Sequence, residues 1–423
     1  MNSDDSRYFE VLKDEMVMAL GCTEPIAIAY AAAKAREVLG AMPDSAIVWC
    51  SGNIVKNVKS VTVPNSGGMT GIEVAAVLGI LGGNAGKKLE VLSDITEEHR
   101  IEARRLIAEG FCRTKIQPEV DNLYVRVCLK SGQESSEVTI MYRHTLIWEI
   151  SRNNVTIYKH ENIDAKKADR SFLSVHGIIR FAETASFDKL KECFGEEILR
   201  NTAISREGLE GHYGAEIGRT LLGAYGDDVR FRAVAAAAAG SDARMNGCAL
   251  PVVINSGSGN QGMAVSLPVL VYARHLGVSE GKTYRALAIS NLISIHIKKN
   301  IGDLSAFCGA VSAACGAGAA ITYLHGGTEA QIGNTIINTL ANVGGLICDG
   351  AKSSCAAKIA TSVNAAILAH EMSMKGIVFR DGDGIVQPDV EQTIKSIGHI
   401  GKTGMAKTDE EVLKIMLGEV RFD

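Results

Sequence analysis

The chain lacks a basic run interleaved with aromatics, an apolar stretch long enough to span a bilayer, and an apolar opening segment. The first absence, with a net charge of −4, argues against a nucleic-acid partner. The second argues against a membrane protein: stretches such as Ala233–Gly240 are short, and Gly and polar residues interrupt the longer ones. The third, an acidic and polar stretch over residues 1–16, argues against a secretory leader. Proline is scarce as well, at seven residues against ten cysteines. With no leader, a reducing, cytoplasmic compartment is expected, where cysteines are buried, catalytic or metal-bound rather than paired.

What is present is an ordinary globular composition, 46% apolar and 22% charged, in a chain long enough for two or three domains. Its charge is unevenly spread. Residues 95–230 are charge-rich, whereas 233–375 is an Ala/Gly/Ser/Ile/Val tract with few charges, as suits a buried core. The pattern predicts an α+β protein in three segments. Residues 1–85 carry an N-terminal helix and a loop rich in Asn, Ser and Gly. Residues 86–165 form a small α+β unit of meandering strands, and 166–423 a mainly helical domain.

Within these segments, 6–40 reads as helix, with Thr23-Glu24-Pro25 as a start signal, and Ala46–Cys50 as strand. Ile72–Leu81 and Glu97–Ala108 read as helices, and Lys88–Leu92, Leu123–Leu129, Glu137–Tyr142 and Asn154–Tyr158 as strands. From 167 onward the reading is nearly all helix: 167–183, 186–224, 228–240, then short apolar helices broken by Gly motifs.

Four of the ten cysteines crowd into Cys308-Gly-Ala-Val-Ser-Ala-Ala-Cys315 and Cys348-Asp-Gly-Ala-Lys-Ser-Ser-Cys355. This spacing matches neither a CxxC redox pair nor a paired-CxxC zinc ribbon. It is compatible with an iron–sulfur cluster held by scattered cysteines. Cys348 and Cys355 would share one face if their segment were helical, and Cys315 stands at the same spacing from Cys308. Cys50, Cys112, Cys128 and Cys193 lie on strand-like or amphipathic runs and read as small core hydrophobes, while Cys248 is undecided. Cys22 precedes a helix start, where N–H groups favour a thiolate.

Asn255-Ser-Gly-Ser-Gly-Asn-Gln-Gly262 lies between apolar runs, and its backbone N–H groups could bind a carboxylate or phosphate. It lacks the Gly-Lys-Ser/Thr ending of a P-loop, and a tight turn between buried helices is the equal alternative. Pro64-Asn-Ser-Gly-Gly68 has the same chemistry, and two such loops favour a shared anion pocket. His176 and His296 sit in apolar contexts, where a lone histidine is more often a core residue than a base.

Over nearly its whole length the chain resembles the L-cysteine desulfidase family, related to the α subunit of iron–sulfur L-serine dehydratases. The resemblance rests on Gly21-Cys-Thr-Glu-Pro25, Ser51-Gly-Asn-Ile-Val-Lys-Asn57, Pro64-Asn-Ser-Gly-Gly-Met-Thr-Gly71, the 255–262 loop, both cysteine segments, and Gly404-Met followed by Thr408-Asp-Glu-Glu. It implies a largely helical serine-dehydratase-α-like catalytic domain with a smaller strand-bearing domain. It also implies a [4Fe–4S] cluster on Cys308, Cys348 and Cys355, with Cys315 as alternate. The separation of Cys348 and Cys355 is shorter than in the serine enzymes, so Cys355 departs most from the pattern.

Cys22 matches the family's N-terminal active-site cysteine, as a fourth ligand or a proton carrier. The reaction implied is PLP-independent β-elimination of L-cysteine to hydrogen sulfide, pyruvate and ammonia, with an open iron as Lewis acid. Asn65, Ser66, Gly67, Asn255, Ser256, Ser258 and Asn260 would hold the amino acid. Cys22, His176, His296 and Lys352 are the candidate bases, and Lys352 could instead offset cluster charge. The alternatives are L-serine dehydration at the same cluster and, from another class, a non-catalytic metal-binding or redox-sensing protein. A small amino acid is the expected partner, and a homodimer is compatible with the sequence.

Overall fold

The computed structural model describes residues 3–161, 168–302 and 304–421. The chain opens with helix α1 (Ser3–Glu15), a short strand β1 (Met18–Leu20) and helix α2 (Thr23–Leu39). Cys22 caps α2 with extended backbone, and Pro25 falls in the first turn, where a missing N–H goes unnoticed. Strand β2 (Ser45–Cys50) and helices α3 (Gly52–Val58), α4 (Ile72–Gly82) and α5 (Glu97–Ala108) follow. Lys88–Leu92, a strand by its sequence, instead straddles the end of a 3₁₀ turn (Ala85–Glu90) packed against α2. The side chain of Asn84 caps that turn by accepting the Gly86 N–H, a local bond that competes with any ladder.

Five strands complete a six-stranded sheet: β3 (Cys112–Ile116), β4 (Tyr124–Ser131), β5 (Glu134–Met141), β6 (Ile147–Arg152) and β7 (Val155–Lys159). Its order is β3-β2-β4-β5-β6-β7, with β2 and β3 parallel and every other pair antiparallel. β3 and β6 escape the sequence pattern because charged residues such as Arg113, Lys115 and Glu149 occupy their more exposed positions. β2, drawn from the first of the three segments, lies inside the sheet whose other strands come from the second. Ala46, Val48 and Cys50 of β2 point into the core, and α2 packs over β4 and β5.

The helical body comprises α6 (Val175–Thr184), α7 (Phe187–Glu210), α8 (Ile217–Tyr225), α9 (Val229–Met245), strand β8 (Pro251–Val253), α10 (Gly259–Leu276), α11 (Glu280–Ile301) and α12 (Gly309–Leu324). It continues through α13 (Glu329–Val343), α14 (Cys355–Met374), α15 (Val390–His399) and α16 (Ala406–Leu417). The sequence suggests short helices broken by glycine, yet α10, α11 and α14 run 18, 22 and 20 residues. Packing explains the glycines that do fall inside helices, such as Gly262 in α10 and Gly316 in α12. The bare Cα lets Val253 O and Ser290 O approach, and burial outweighs glycine's poor helix propensity. Ala233–Ala239 of α9, mostly alanine and a strong helix former, is likewise buried throughout. Conversely, the single helix expected over 186–224 divides at Gly211 into α7 and α8.

β1 pairs antiparallel with β8, Met18 opposite Val253, and the Ile254 N–H extends the ladder to Val17 O at 3.0 Å. This ribbon ties the Cys22 segment to the 255–262 loop. Among the described residues no helix is long and apolar enough to cross a membrane.

Candidate active site

Phe307 and Ile347 form an isolated antiparallel bridge, flanked by Cys308 N–H to Leu346 O (2.9 Å) and Cys348 N–H to Ala306 O (2.6 Å). Two stretches distant in sequence thereby hold Cys308 and Cys348 beside one another. Cys308 caps α12 and Cys355 opens α14, so both lie at positive helix ends. The segment between Cys348 and Cys355 is a loop rather than a helix. It turns at Gly350 (φ +92°), where any Cβ would fall 2.2 Å from Lys56 O.

Cys22, Cys308, Cys348 and Cys355 all line one cavity of about 310 Å³, open to solvent. None is in a disulfide. Burial, aided by the Cys348 thiol, pushes Cys308 up to about 12, and burial raises Cys355 too. Both are therefore neutral thiols at neutral pH. Lys358 donates to Ile347 O (2.7 Å) and pairs with Asp349. Burial lowers the pKa of this lysine, but Asp349 and the neighbouring thiols outweigh it and hold the pKa above the ordinary value.

In the same cavity Cys22 sits in a small buried cluster with Val61 and Met245, against which Cys355 packs. Its thiol donates to Glu24 Oε2 (3.1 Å), which Thr23 Oγ1 also approaches at 3.1 Å. Asn57 Nδ2 donates to Glu24 Oε1 (3.0 Å). Burial pushes the Glu24 carboxyl up. His144, the Cys22 thiol, its own backbone N–H and Arg244 together outweigh burial and keep the pKa below the ordinary value. Burial, then the Glu24 charge, drives Cys22 the other way, well above an ordinary thiol. The pair therefore rests as thiol and carboxylate.

His144 enters from the β5–β6 turn. Arg143 pins that turn to α1 through two hydrogen bonds to Asp14 (2.7 and 3.0 Å). The imidazole lies over Gly257, where an added methyl would sit 3.5 Å from His144 Cε1.

The floor is the 255–262 loop and the start of α10. Ser256, Ser258, Asn260 and Gln261 line the cavity, while Asn255 is fully buried behind it. Asn260 Oδ1 and Gln261 Oε1 are buried acceptors with no hydrogen-bond partner among the described residues. Arg244 of α9 is 2% exposed, donates its Nε to Gly21 O (3.0 Å), and borders the same cavity. Gly259 allows this: a Cβ there would come within 2.4 Å of Arg244 Nε.

Several residues singled out by sequence lie outside the cavity wall. His176 is exposed and faces Glu329 at 3.0 Å. His296 is buried against Glu391 (2.8 Å), and burial outweighs that carboxylate to lower its pKa. Lys352 turns back onto Asp349 (2.5 Å) and Gly350 O (3.3 Å). Cys315 lies buried in the middle of α12.

The two Asn-Ser-Gly loops do not share a pocket. Asn65 Nδ2 is bonded to Leu92 O (2.9 Å), Ser66 Oγ to Met69 O (2.9 Å), and Arg100 of α5 covers Asn65 and Gly67. Sequence reasoning missed Glu24, Asn57, Arg244, Gln261 and His144. Glu24, Asn57 and Gln261 stand inside motifs already conspicuous in the sequence. Arg244 is a rare charge in an alanine tract, which could have marked it. His144 carries no such signal.

The cavity is thus walled by thiols, amides, carboxylates and a buried arginine, set in a helical α+β body. The chain belongs to the serine dehydratase alpha chain family, whose model matches residues 86–414. That family is one of dehydratase-type lyases and is generally iron–sulfur dependent. A "UPF0597 protein" of Lachnoclostridium phytofermentans is 54% identical over 413 residues, covering 97% of this chain and 99% of its own. Another, of Desulfitobacterium hafniense, is 49% identical over 415 residues, covering 97% and 96%. A third, of Treponema denticola, is 46% identical over 424 residues, covering 98% of each. Their names state no substrate.

Proposed function

We propose that this protein is a [4Fe–4S]-dependent lyase that eliminates the β-substituent of a small L-amino acid. L-Cysteine is the first candidate, yielding hydrogen sulfide, pyruvate and ammonia. The observation that carries this reading is the convergence of Cys22, Cys308, Cys348 and Cys355 on one cavity with Arg244 and the 255–262 loop.

The donor set fits the cluster. Three thiols reach the cavity from a helix cap, a bridge strand and a helix start, with the Lys358 cation beside them. Dispersed thiols suit a cluster, which spreads its ligands over separate irons. Cys308, Cys348 and Cys355 would hold it, and bound there it supplies a Lewis-acidic iron with an open position.

The remaining steps belong to the protein. Arg244 and the free N–H groups at the start of α10 orient the substrate carboxylate. Asn260 Oδ1 and Gln261 Oε1 accept from the ammonium, which supplies their missing partner. His144 takes the Cα proton and Glu24 steadies the imidazolium that results. Cys22, a neutral thiol at rest, gives a proton to the departing sulfur, and the Arg244 charge favours the thiolate left behind. Opposed pKa shifts in one site are the usual mark of such divided acid–base roles. The aminoacrylate released then tautomerises and hydrolyses to pyruvate and ammonia.

The family match favours a second reading, L-serine with hydroxide as the leaving group. The test is anaerobic purification, iron and sulfide analysis, and parallel pyruvate assays with L-cysteine and L-serine. Four irons per chain with faster turnover of L-cysteine supports the first reading. Faster turnover of L-serine selects the second, and iron-free protein with full zinc occupancy overturns both.

A further inference from the structure

Behind the cavity floor, α7 carries a fully buried carboxyl group, Glu197, that takes no part in the chemistry above. A buried carboxyl in a helical core is costly unless something uses it. Asn291 of α11 donates its Nδ2 to Glu197 Oε2 (3.1 Å) and to Leu287 O (3.1 Å). That leaves Asn291 Oδ1 facing the loop, where it accepts from Asn255 Nδ2 at 2.8 Å. Asn255, its amide N–H so engaged, turns Oδ1 towards Ser256 Oγ and Ser294 Oγ, both at 3.1 Å.

Each amide orientation in this relay is dictated by the one before it, because an amide has distinct donor and acceptor ends. Reversing any of them would leave like groups facing one another in a buried site. The relay ends at Ser256, a cavity-lining residue held at φ +49°, a left-handed conformation that a residue other than glycine rarely keeps unsupported.

We propose that Glu197 is a positioning residue for the substrate-binding bend at Asn255–Ser258, acting through Asn291 and Asn255. This rests on the reading of the cavity as an amino-acid site. Glu197 needs only to present an acceptor. Burial pushes its carboxyl up to about 8, and the protonated acid keeps one acceptor oxygen for Asn291. Glutamine has the same acceptor, whereas methionine fills the space without one.

The test uses the full chain in two arms: hydrogen exchange of residues 253–262, and steady-state kinetics of the cluster-loaded protein. Glu197→Met should speed exchange in 253–262 while leaving the sheet unchanged. It should raise KM for the amino acid about 10-fold or more, with kcat within about 3-fold of wild type. Glu197→Gln should restore both. Asn291→Ala cuts the same relay from a different helix and should reproduce the methionine phenotype, so it decides the matter if Glu197→Met does not fold. Wild-type exchange in 253–262 for the methionine and alanine variants overturns the inference, as does a glutamine variant as impaired as methionine. If the wild type proves to have no lyase activity, the proposed function fails, and the exchange arm still decides the role of Glu197.

Discussion

The Cys22 thiol donates a hydrogen bond to Glu24 Oε2 at 3.1 Å across the first turn of one helix, and the two rest in opposite protonation states. Burial and the Glu24 charge keep Cys22 a thiol, while His144, that thiol and Arg244 keep Glu24 a carboxylate. Replacing Cys22 by Ala, or Glu24 by Gln, removes one half of this device. Either change should lower kcat by about 10²-fold or more, the range of a general acid or base. Neither should alter iron content if Cys22 is a proton carrier. Loss of iron from the Cys22→Ala protein would make it a cluster ligand instead.

Arg244 is held by Gly21 O and admitted by the bare Cα of Gly259. Arg244→Met should cost about 2–3 kcal/mol in kcat/KM, as expected for a charged hydrogen bond to a carboxylate. Gly259→Ala should do much of the same damage by pushing the guanidinium aside. Circular dichroism on each variant separates this from unfolding, and an unchanged KM in Arg244→Met would remove Arg244 from carboxylate binding.

Iron content distinguishes the cysteines. Cys308→Ser, Cys348→Ser and Cys355→Ser should each lose the cluster, read as iron per chain and as visible absorbance. Cys315→Ala should retain full iron and lose about 1 kcal/mol of stability as a buried side chain is trimmed. Iron lost from the Cys315 variant alone would exchange the two assignments.

The Glu197 carboxyl has a folded pKa of about 8 against an ordinary 4.5. Raised in the folded state, it holds a proton that the unfolded chain releases between those values. The contribution of this group to stability is therefore complete below pH 4.5 and lost as pH rises towards 8. A tenfold change in proton affinity corresponds to about 1.4 kcal/mol, so the change across the window is a few kcal/mol. Glu197→Gln should gain melting temperature relative to wild type as pH goes from 5 to 8. A constant difference across that range would mean that Glu197 does not titrate there.

Much of the framework was legible. Pro25 in the first turn marks the start of α2, although strand β1 breaks the single helix read over 6–40, and Glu97–Ala108 folds as its amphipathic pattern predicts. Glycine misleads further on, because its effect on a helix depends on what lies opposite, and the chain order does not say what lies opposite. β3 and β6 hide behind charged exposed positions, where a strand and a loop look alike. The loop at 65–67 and the loop at 255–262 share a composition, but Arg100 covers the first while the second opens onto the cavity.

By itself the sequence determined the residue types of a thiol- and amide-rich site, the separation of a charge-rich region from a buried helical one, and the family resemblance. Those are properties of local composition and spacing. Only the tertiary structure decided which groups share the cavity. Cys22, His144, Arg244 and Cys308 come from four separate elements, joined by a strand bridge, a hairpin pinned to α1 and a glycine that yields to an arginine. Such proximity is made by packing between distant segments, and it leaves no periodicity in the chain to read.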